Sequence, residues 1–266
     1  MSARTVGPLV RQWRTQRRRS QLDLALEVGV SARHLSFVET GRARPSPELL
    51  MALSERLDVP LRSRNDWLLA AGYAPRYPHT PLDDESMGRV RATLQRLLDA
   101  HDPFPGVVID RAWNIILANR GAAGLVAGLP EAVTGPPLNV FRVCLHPAGL
   151  AARTVNLGEW SAYLRAELRR VASVSADPVI AALVAEVDGY PDPPGPAAGA
   201  ALHPGGDPGL LVPLRLRLDG QGELCLFSTV TTFATPQDVT LSELAVELFY
   251  PADDTAERVL RSLPDG

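Results

Sequence analysis

The sequence predicts an α+β protein in two parts: an all-α N-terminal module of five helices, then an antiparallel sheet with helices packed over one face. Three observations predict it. Apolar residues recur at helical spacing up to about residue 72, and short runs alternating with a period of two begin at Val107. Between the two patterns stands a proline-broken connector, Gly72-Tyr-Ala-Pro-Arg-Tyr-Pro-His-Thr-Pro81. The charge divides at the same place: residues 1–76 carry 13 Arg against 7 Asp and Glu, whereas residues 77–266 carry 14 Arg against 23. The expected boundaries are therefore 1–74 for the helical module, 75–83 for the linker and 84–266 for the second domain. A basic module joined to an acidic one implies that only the first meets a polyanion.

The opening helix is expected from Pro8 to about Arg18, with Leu9, Val10 and Trp13 as its apolar stripe. Ser20 caps a second helix, with Asp23 as its capping-box partner and Leu24, Ala25 and Val28 on one face. Gly29 supplies the turn, where a positive φ is wanted. Ser31 caps a third helix whose Leu35 and Val38 point back at the second, and Gly41 stops it. Ala32, Arg33, Ser36 and Phe37 are left facing away. This is the layout of a helix-turn-helix whose second helix can enter a DNA major groove. A fourth helix starts at Ser46 or Pro47 and runs to Leu57, and a fifth covers about Leu61 to Ala71.

The stretch from Ser20 through Gly41 to Arg42-Ala-Arg44-Pro-Ser-Pro resembles the lambda-repressor/Cro/XRE helix-turn-helix class over residues 5–72. The resemblance implies base contacts from Ala32, Arg33, Ser36 and Phe37, and backbone contacts from Arg14, Arg18, Gln21, Arg42 and Arg44. The chemistry agrees: an arginine on a groove-inserted helix pairs bidentately with guanine, discriminating by about 1–3 kcal/mol. Phe37 is either an apolar base contact or the edge of the core.

In the second domain a helix is expected over 84–100. Val107–Asp110 and Asn114–Ala118 read as a hairpin, and Asn119–Val126 as a helix leaving it. Helices follow at 158–174 and 178–187. Residues 188–209 hold six Pro and six Gly, which reads as a surface loop. Leu210–Leu218 and Glu223–Phe233 form a second hairpin. Leu244, Val246, Leu248 and Tyr250 alternate strictly, giving a fifth strand over 243–250 and then a helix over 255–263.

Three motifs here, Val108-Ile-Asp-Arg-Ala-Trp-Asn-Ile-Ile-Leu-Ala-Asn-Arg120, Asn139-Val-Phe-Arg-x-x-Leu-His-Pro-x-Gly-Leu150 and Phe227-Ser-Thr-Val-Thr-Thr-Phe-Ala-Thr-Pro-Gln-Asp-Val-Thr-Leu241, resemble the MmyB-like ligand-binding domain. The resemblance implies a PAS-like fold that accepts a fatty-acid-like effector ligand, and no cofactor. Candidate ligand contacts in or beside these motifs are Asn119, Arg142, His146, Asn156 and Trp160. Each polar one has a structural alternative. Asn119 and Asn156 could cap helices, His146 could be a turn residue, and Arg142 could pair with an acid. Leu117, Phe141, Trp160, Phe227 and Val230 are candidate cavity walls or plain core.

Catalytic and metal chemistry find no complete motif in the sequence. Cys144 stands two residues before His146, which allows a nucleophile–base reading, but no oxyanion loop accompanies them. The histidines and the two cysteines have no metal spacing, so neither catalytic nor metal-binding residues are expected. No apolar run approaches the roughly 20 residues of a membrane span, and no secretory signal is legible. The sequence thus points to a cytoplasmic one-component transcription regulator. Its expected partners are a double-stranded DNA operator and a small apolar ligand, with a homodimer reading half-sites roughly 34 Å apart and no membrane contact. The alternative is a second domain that only dimerises or docks a partner.

Overall fold

The computed structural model describes residues 5–175, 177–191, 211–218, 220 and 222–262. The Pro/Gly-rich stretch read as a surface loop lies, beyond Pro191, outside the described residues. The chain divides into two compact units, Met1–Pro81 with Ala234–Ser242, and Leu82–Phe233 with Glu243–Gly266.

The first unit contains α1 (Val6–Gln16), α2 (Gln21–Glu27), α3 (Ala32–Glu39), α4 (Pro47–Arg56) and α5 (Leu61–Ala70). The expected caps form: Ser20, Ser31 and Ser46 accept from the backbone N–H groups of Asp23, His34 and Leu49. Val10, Leu24, Leu35, Leu50, Leu53 and Leu57 are fully buried around Trp67. Two glycines are dictated by geometry. Gly29 has φ +73° between α2 and α3. Gly7 lets α1 lie against the end of α3, where an added Cβ would stand 2.5 Å from the Val38 carbonyl oxygen and 2.6 Å from that of Glu39.

The connector is pinned to this unit. Asn65 of α5 accepts from the Arg76 and Tyr77 N–H groups and donates to the Tyr77 carbonyl, and the Tyr73 hydroxyl donates to the Pro45 carbonyl. Further on, Thr80 N–H donates to the Asp238 carboxylate and Val239 N–H to the Pro78 carbonyl. This ties in the segment Ala234–Ser242, which also contributes most of the short helix α12 (Val239–Glu243).

The second unit is built on a five-stranded antiparallel sheet in the order β2-β1-β5-β4-β3. Its strands are β1 (Gly106–Ile109), β2 (Ile115–Ala118), β3 (Leu214–Leu218), β4 (Gly222–Thr232) and β5 (Ala245–Pro251). The helices are α6 (Gly88–Asp99), α7 (Arg120–Val126), α8 (Glu131–Thr134), α9 (Val140–Leu145), α10 (Leu157–Ser175), α11 (Pro178–Asp188) and α13 (Asp254–Ser262). The short α8 and α9 were not expected individually, because four and six residues are too few to show a helical period.

One expectation is corrected: helices cover both faces of the sheet, not one. Val107 pairs with Glu247 and Gly106 with Leu248, so neighbouring residues of β5 face opposite ways. On the Leu248 side, a Cβ at Gly106 would meet Leu98 of α6. On the Glu247 side lie α7 and α9, with a cavity beneath them.

Candidate DNA-reading face and ligand cavity

The capped start of α3 sets the first site. Arg33 is exposed there, Ser36 and Phe37 are half-buried, and Ala32 turns part of its surface to the core. Phe37 is half-buried and carries a contact beyond its two expected roles. Its ring lies beneath two guanidinium groups, Arg33 at 5.3 Å and Arg42 at 5.9 Å, and so holds both cations at the end of the face. Arg18 and Arg42 are exposed, and Arg18 stands in the left-handed region at φ +53° just before α2.

Three of the expected phosphate contacts have partners within the unit. The Arg14 guanidinium donates to both carboxylate oxygens of Glu39, at 2.6 and 2.9 Å, and to the Arg19 carbonyl at 2.8 Å. The pair is nearly dry, with 12% of the Arg14 side chain and 1% of the Glu39 side chain exposed. The Gln21 amide also donates to Glu39, at 2.7 Å, so it points inward at the start of α2. Arg44 lies over the Tyr73 ring at 4.5 Å and donates to the Gly72 carbonyl, fastening the loop before α4 to the end of α5. Arg17 and Arg19 are also engaged, with the carbonyls of Leu57 and Asp58 and with Glu27 respectively.

Glu39 is thus a hub that joins α1, α2 and α3. Burial alone would push its carboxyl up, but hydrogen bonds from Arg14 and Gln21 together with the Arg14 charge hold it below the usual range. Nothing in the local spacing around Gly41 singles out Glu39. The signal that it is buried was the arginine on α1, which was read as phosphate-facing.

The second site is a cavity of about 160 Å³. The sheet contributes Val107, Ile115, Ala118, Leu214, Glu247 and Phe249. The covering helices contribute Ala122, Ala123, Leu125 and Val126 from α7, and Val140, Val143 and Cys144 from α9. Apart from the thiol, Glu247 is the only ionisable side chain in this lining. Its surroundings push its carboxyl above the usual range: burial dominates, and the Ser228 hydroxyl beside it only partly opposes this. No arginine pairs with it among the described residues.

None of the five expected ligand contacts lines this cavity. Asn119 is 2% exposed and fully used: it accepts from Gly106 and Ala122 N–H and donates to the Leu98 and Phe104 carbonyls. Arg142 grips Glu186 of α11 through two hydrogen bonds of 2.7 and 2.9 Å. His146 Nδ1 accepts from Ala148 N–H in a turn, with its ring edge-on to Tyr190. Asn156 accepts from Arg215 N–H and donates to the Pro213 carbonyl and Glu159, joining the start of α10 to β3. Trp160 is buried in the main core. Each polar residue therefore takes its structural alternative.

The wall candidates fare no better. Leu117 and Phe141 are buried outside the cavity lining, Phe227 stacks on Tyr250, and Val230 is 61% exposed. Glu247 was missed because the alternation over 243–250 draws attention only to Leu244, Val246, Leu248 and Tyr250. Its face is the one that the helices roof.

The Cys144–His146 reading is also overturned. Burial, with the Glu247 charge adding to it, pushes the Cys144 thiol up to about 12, so a thiolate is not accessible near neutrality. The two side chains share no hydrogen bond, and His146 is engaged with its own turn. Among the described residues no group of His, Cys, Asp and Glu is placed to hold a metal ion, and no helix is long and apolar enough to cross a membrane.

Comparison with known proteins gives two family matches, the longer of which includes the segment Ala234–Ser242 of the first unit. The family model for the MmyB-like transcription regulator ligand binding domain matches residues 90–263, more than half of the chain, and a helix-turn-helix model matches residues 10–63. No curated protein matches.

Proposed function

This chain belongs to the MmyB-like transcription regulators, with a helix-turn-helix module ahead of the ligand-binding domain, and we propose that it is a cytoplasmic one-component switch. In this reading α3 enters the major groove of an operator as part of a homodimer, and a small apolar ligand in the second unit changes the affinity for DNA. The observation that carries it is the apolar cavity between the sheet and α7 and α9. The strand order β2-β1-β5-β4-β3 supports a PAS-like description of the unit around it.

At the DNA, Arg33 is the base reader and Phe37 its support. Arg18 and Arg42 make the phosphate contacts, while Arg14, Gln21 and Arg44 hold the helices that carry them. The fatty acid implied by the resemblance matches the apolar walls through its chain, and no cation stands in the lining to hold its carboxylate.

The test is native mass spectrometry of the purified protein before and after organic extraction, joined to operator titrations by fluorescence anisotropy. A bound small molecule whose removal shifts the operator affinity several-fold supports the switch. An operator affinity indifferent to extraction and to added apolar ligands, in a stable dimer, supports the docking-module alternative instead.

A further inference from the structure

We propose that the open edge of β4 is a self-pairing interface, at which the strand lies antiparallel to β4 of a second copy about a two-fold axis at Thr231. This rests on the reading of the chain as a homodimer and names the surface that makes it.

Unequal strand lengths create the edge. β4 pairs with β5 from Leu226 to Thr232, but β3 begins at Leu214, opposite Leu226. Beyond that point β4 has a strand on one side only among the described residues. The Cys225 carbonyl accepts from Ala252 N–H, just past the end of β5, so odd-numbered residues of β4 turn their backbone groups to β5. The N–H and C=O groups of Val230 and Thr232 therefore point to the open side.

The other edges of the sheet are covered. Beside β2, Asn114 bridges to Asn139 and Ile115 N–H donates to the Leu138 carbonyl. Beside β3, Thr154 bridges to Leu216 and Val155 N–H donates to the Arg215 carbonyl. An edge left bare is normally blunted by charge, proline or a bulge. From Leu224 to Thr235 there is no charged residue and no proline, and the register against β5 is unbroken from Leu226 to Thr232. Thr229, Val230, Thr231 and Thr232 are all exposed. This run can accept a strand and carries nothing to repel one.

The residues of the strand select the occupant. A two-fold axis normal to the sheet pairs a strand antiparallel with itself, the isologous case. Centred on Thr231, it sets Val230 against Thr232 and Thr229 against Phe233 of the second copy. Val230 and Thr232 face outward, so they exchange N–H···O=C bonds with their counterparts. Thr231 meets itself in the closer, non-hydrogen-bonded pair. Threonine pairs and pairs of an aromatic with a β-branched residue favour a sheet, and no charge is desolvated. An axis nearer Leu226 is excluded, since β3 already occupies that part of the edge. A charged peptide finds no counter-charge on this strand, whereas the strand matches itself residue for residue.

Cysteine cross-linking of the full chain reads the register. In a non-hydrogen-bonded pair the Cα atoms stand about 4.5 Å apart, within disulfide reach. Thr231→Cys is therefore expected to give a covalent dimer under mild oxidant, reversed by reductant. Thr229→Cys, equally exposed on the same face, meets Phe233 of the second copy and should stay monomeric on a denaturing gel. Sedimentation equilibrium supplies the second measurement. Thr231→Lys sets two ammonium groups together at the axis and should raise the dimer dissociation constant by about tenfold or more. Thr231→Glu should do the same, and an equimolar mixture of the two variants should recover the dimer. Val230→Pro removes an outward N–H and no bond within the chain, so it should weaken the dimer with the far-ultraviolet circular dichroism unchanged. The proposal is overturned if Thr231→Cys links no better than Thr229→Cys, or if Thr231→Lys leaves the dissociation constant of a dimeric protein unchanged. The homodimer reading would then stand on another surface. An unmodified protein that is monomeric at every concentration would refute the homodimer reading and this inference with it.

Discussion

Glu39 and Glu247 are both acids placed where water is scarce, and the two units treat them in opposite ways. Glu39 is enclosed by Arg14 and Gln21, both its oxygens are occupied, and its carboxyl is held below the usual range. Glu247 has no cationic partner among the described residues, a hydrogen bond with the Ser228 hydroxyl, and a carboxyl held above that range. The first acid is spent on joining three helices, so its module presents α3 in one fixed orientation. The second stands on β5 without a cationic partner among the described residues, beside a lining that is otherwise apolar.

The comparison breaks most visibly at Glu39. Glu39→Ala leaves the Arg14 guanidinium buried without its partner, a loss of about 3–5 kcal/mol. Urea denaturation should show this as a transition of the helical module displaced far below that of the unmodified protein. A double change, Arg14→Met with Glu39→Leu, should recover most of it; no recovery would mean that the pair is not what holds the three helices.

Next in size is the face that Glu39 supports. Arg33→Ala should cost about 1–3 kcal/mol at its preferred base and relax the choice there. Arg18→Ala or Arg42→Ala should weaken all sequences alike and lower the salt slope by about 1. Binding assays over a randomised operator at two salt concentrations check both. Equal behaviour of Arg33 and Arg18 variants would remove the distinction between reader and phosphate contact.

Glu247→Leu should raise stability by roughly 1 kcal/mol, since it replaces a polar group that burial disfavours. The pH dependences of the two acids sharpen the contrast. Glu39 ionises more readily folded than unfolded, so its contribution is present above the unfolded carboxyl pKa and lost as pH falls through the folded one. Glu247 is the reverse: its contribution is present below the unfolded value and lost as pH rises through the folded one. Melting temperature against pH should therefore lose its rising-pH decline in Glu247→Gln and keep its acid limb.

The smallest effect is expected at Arg142. Its pair with Glu186 is about a third exposed on each side, so Arg142→Ala should cost under about 1 kcal/mol and leave ligand binding unchanged. A loss of ligand binding in that variant would return Arg142 to the site.

Which of these features the sequence shows follows from the range over which each is decided. The five helices, their serine caps and the glycine turn at Gly29 are set by residues within a few positions of one another, so local spacing was enough to read them. The same holds for the strands, whose alternation over Leu244–Tyr250 is correct to within a residue or two. The base-reading end of α3 was legible for the same reason, since the cap and the inward Leu35 and Val38 fix which residues are left outside.

What only the tertiary structure decided is where each charge goes. Arg14 and Arg18 look alike in the sequence, yet one meets Glu39 from 25 positions away and the other meets solvent. Alternation assigns Glu247 to the face opposite Leu248, but whether that face meets water or a roof depends on α7 and α9, which lie more than 100 residues earlier. Burial and pairing are properties of approach between distant segments, and a period of two or of 3.6 carries no information about them.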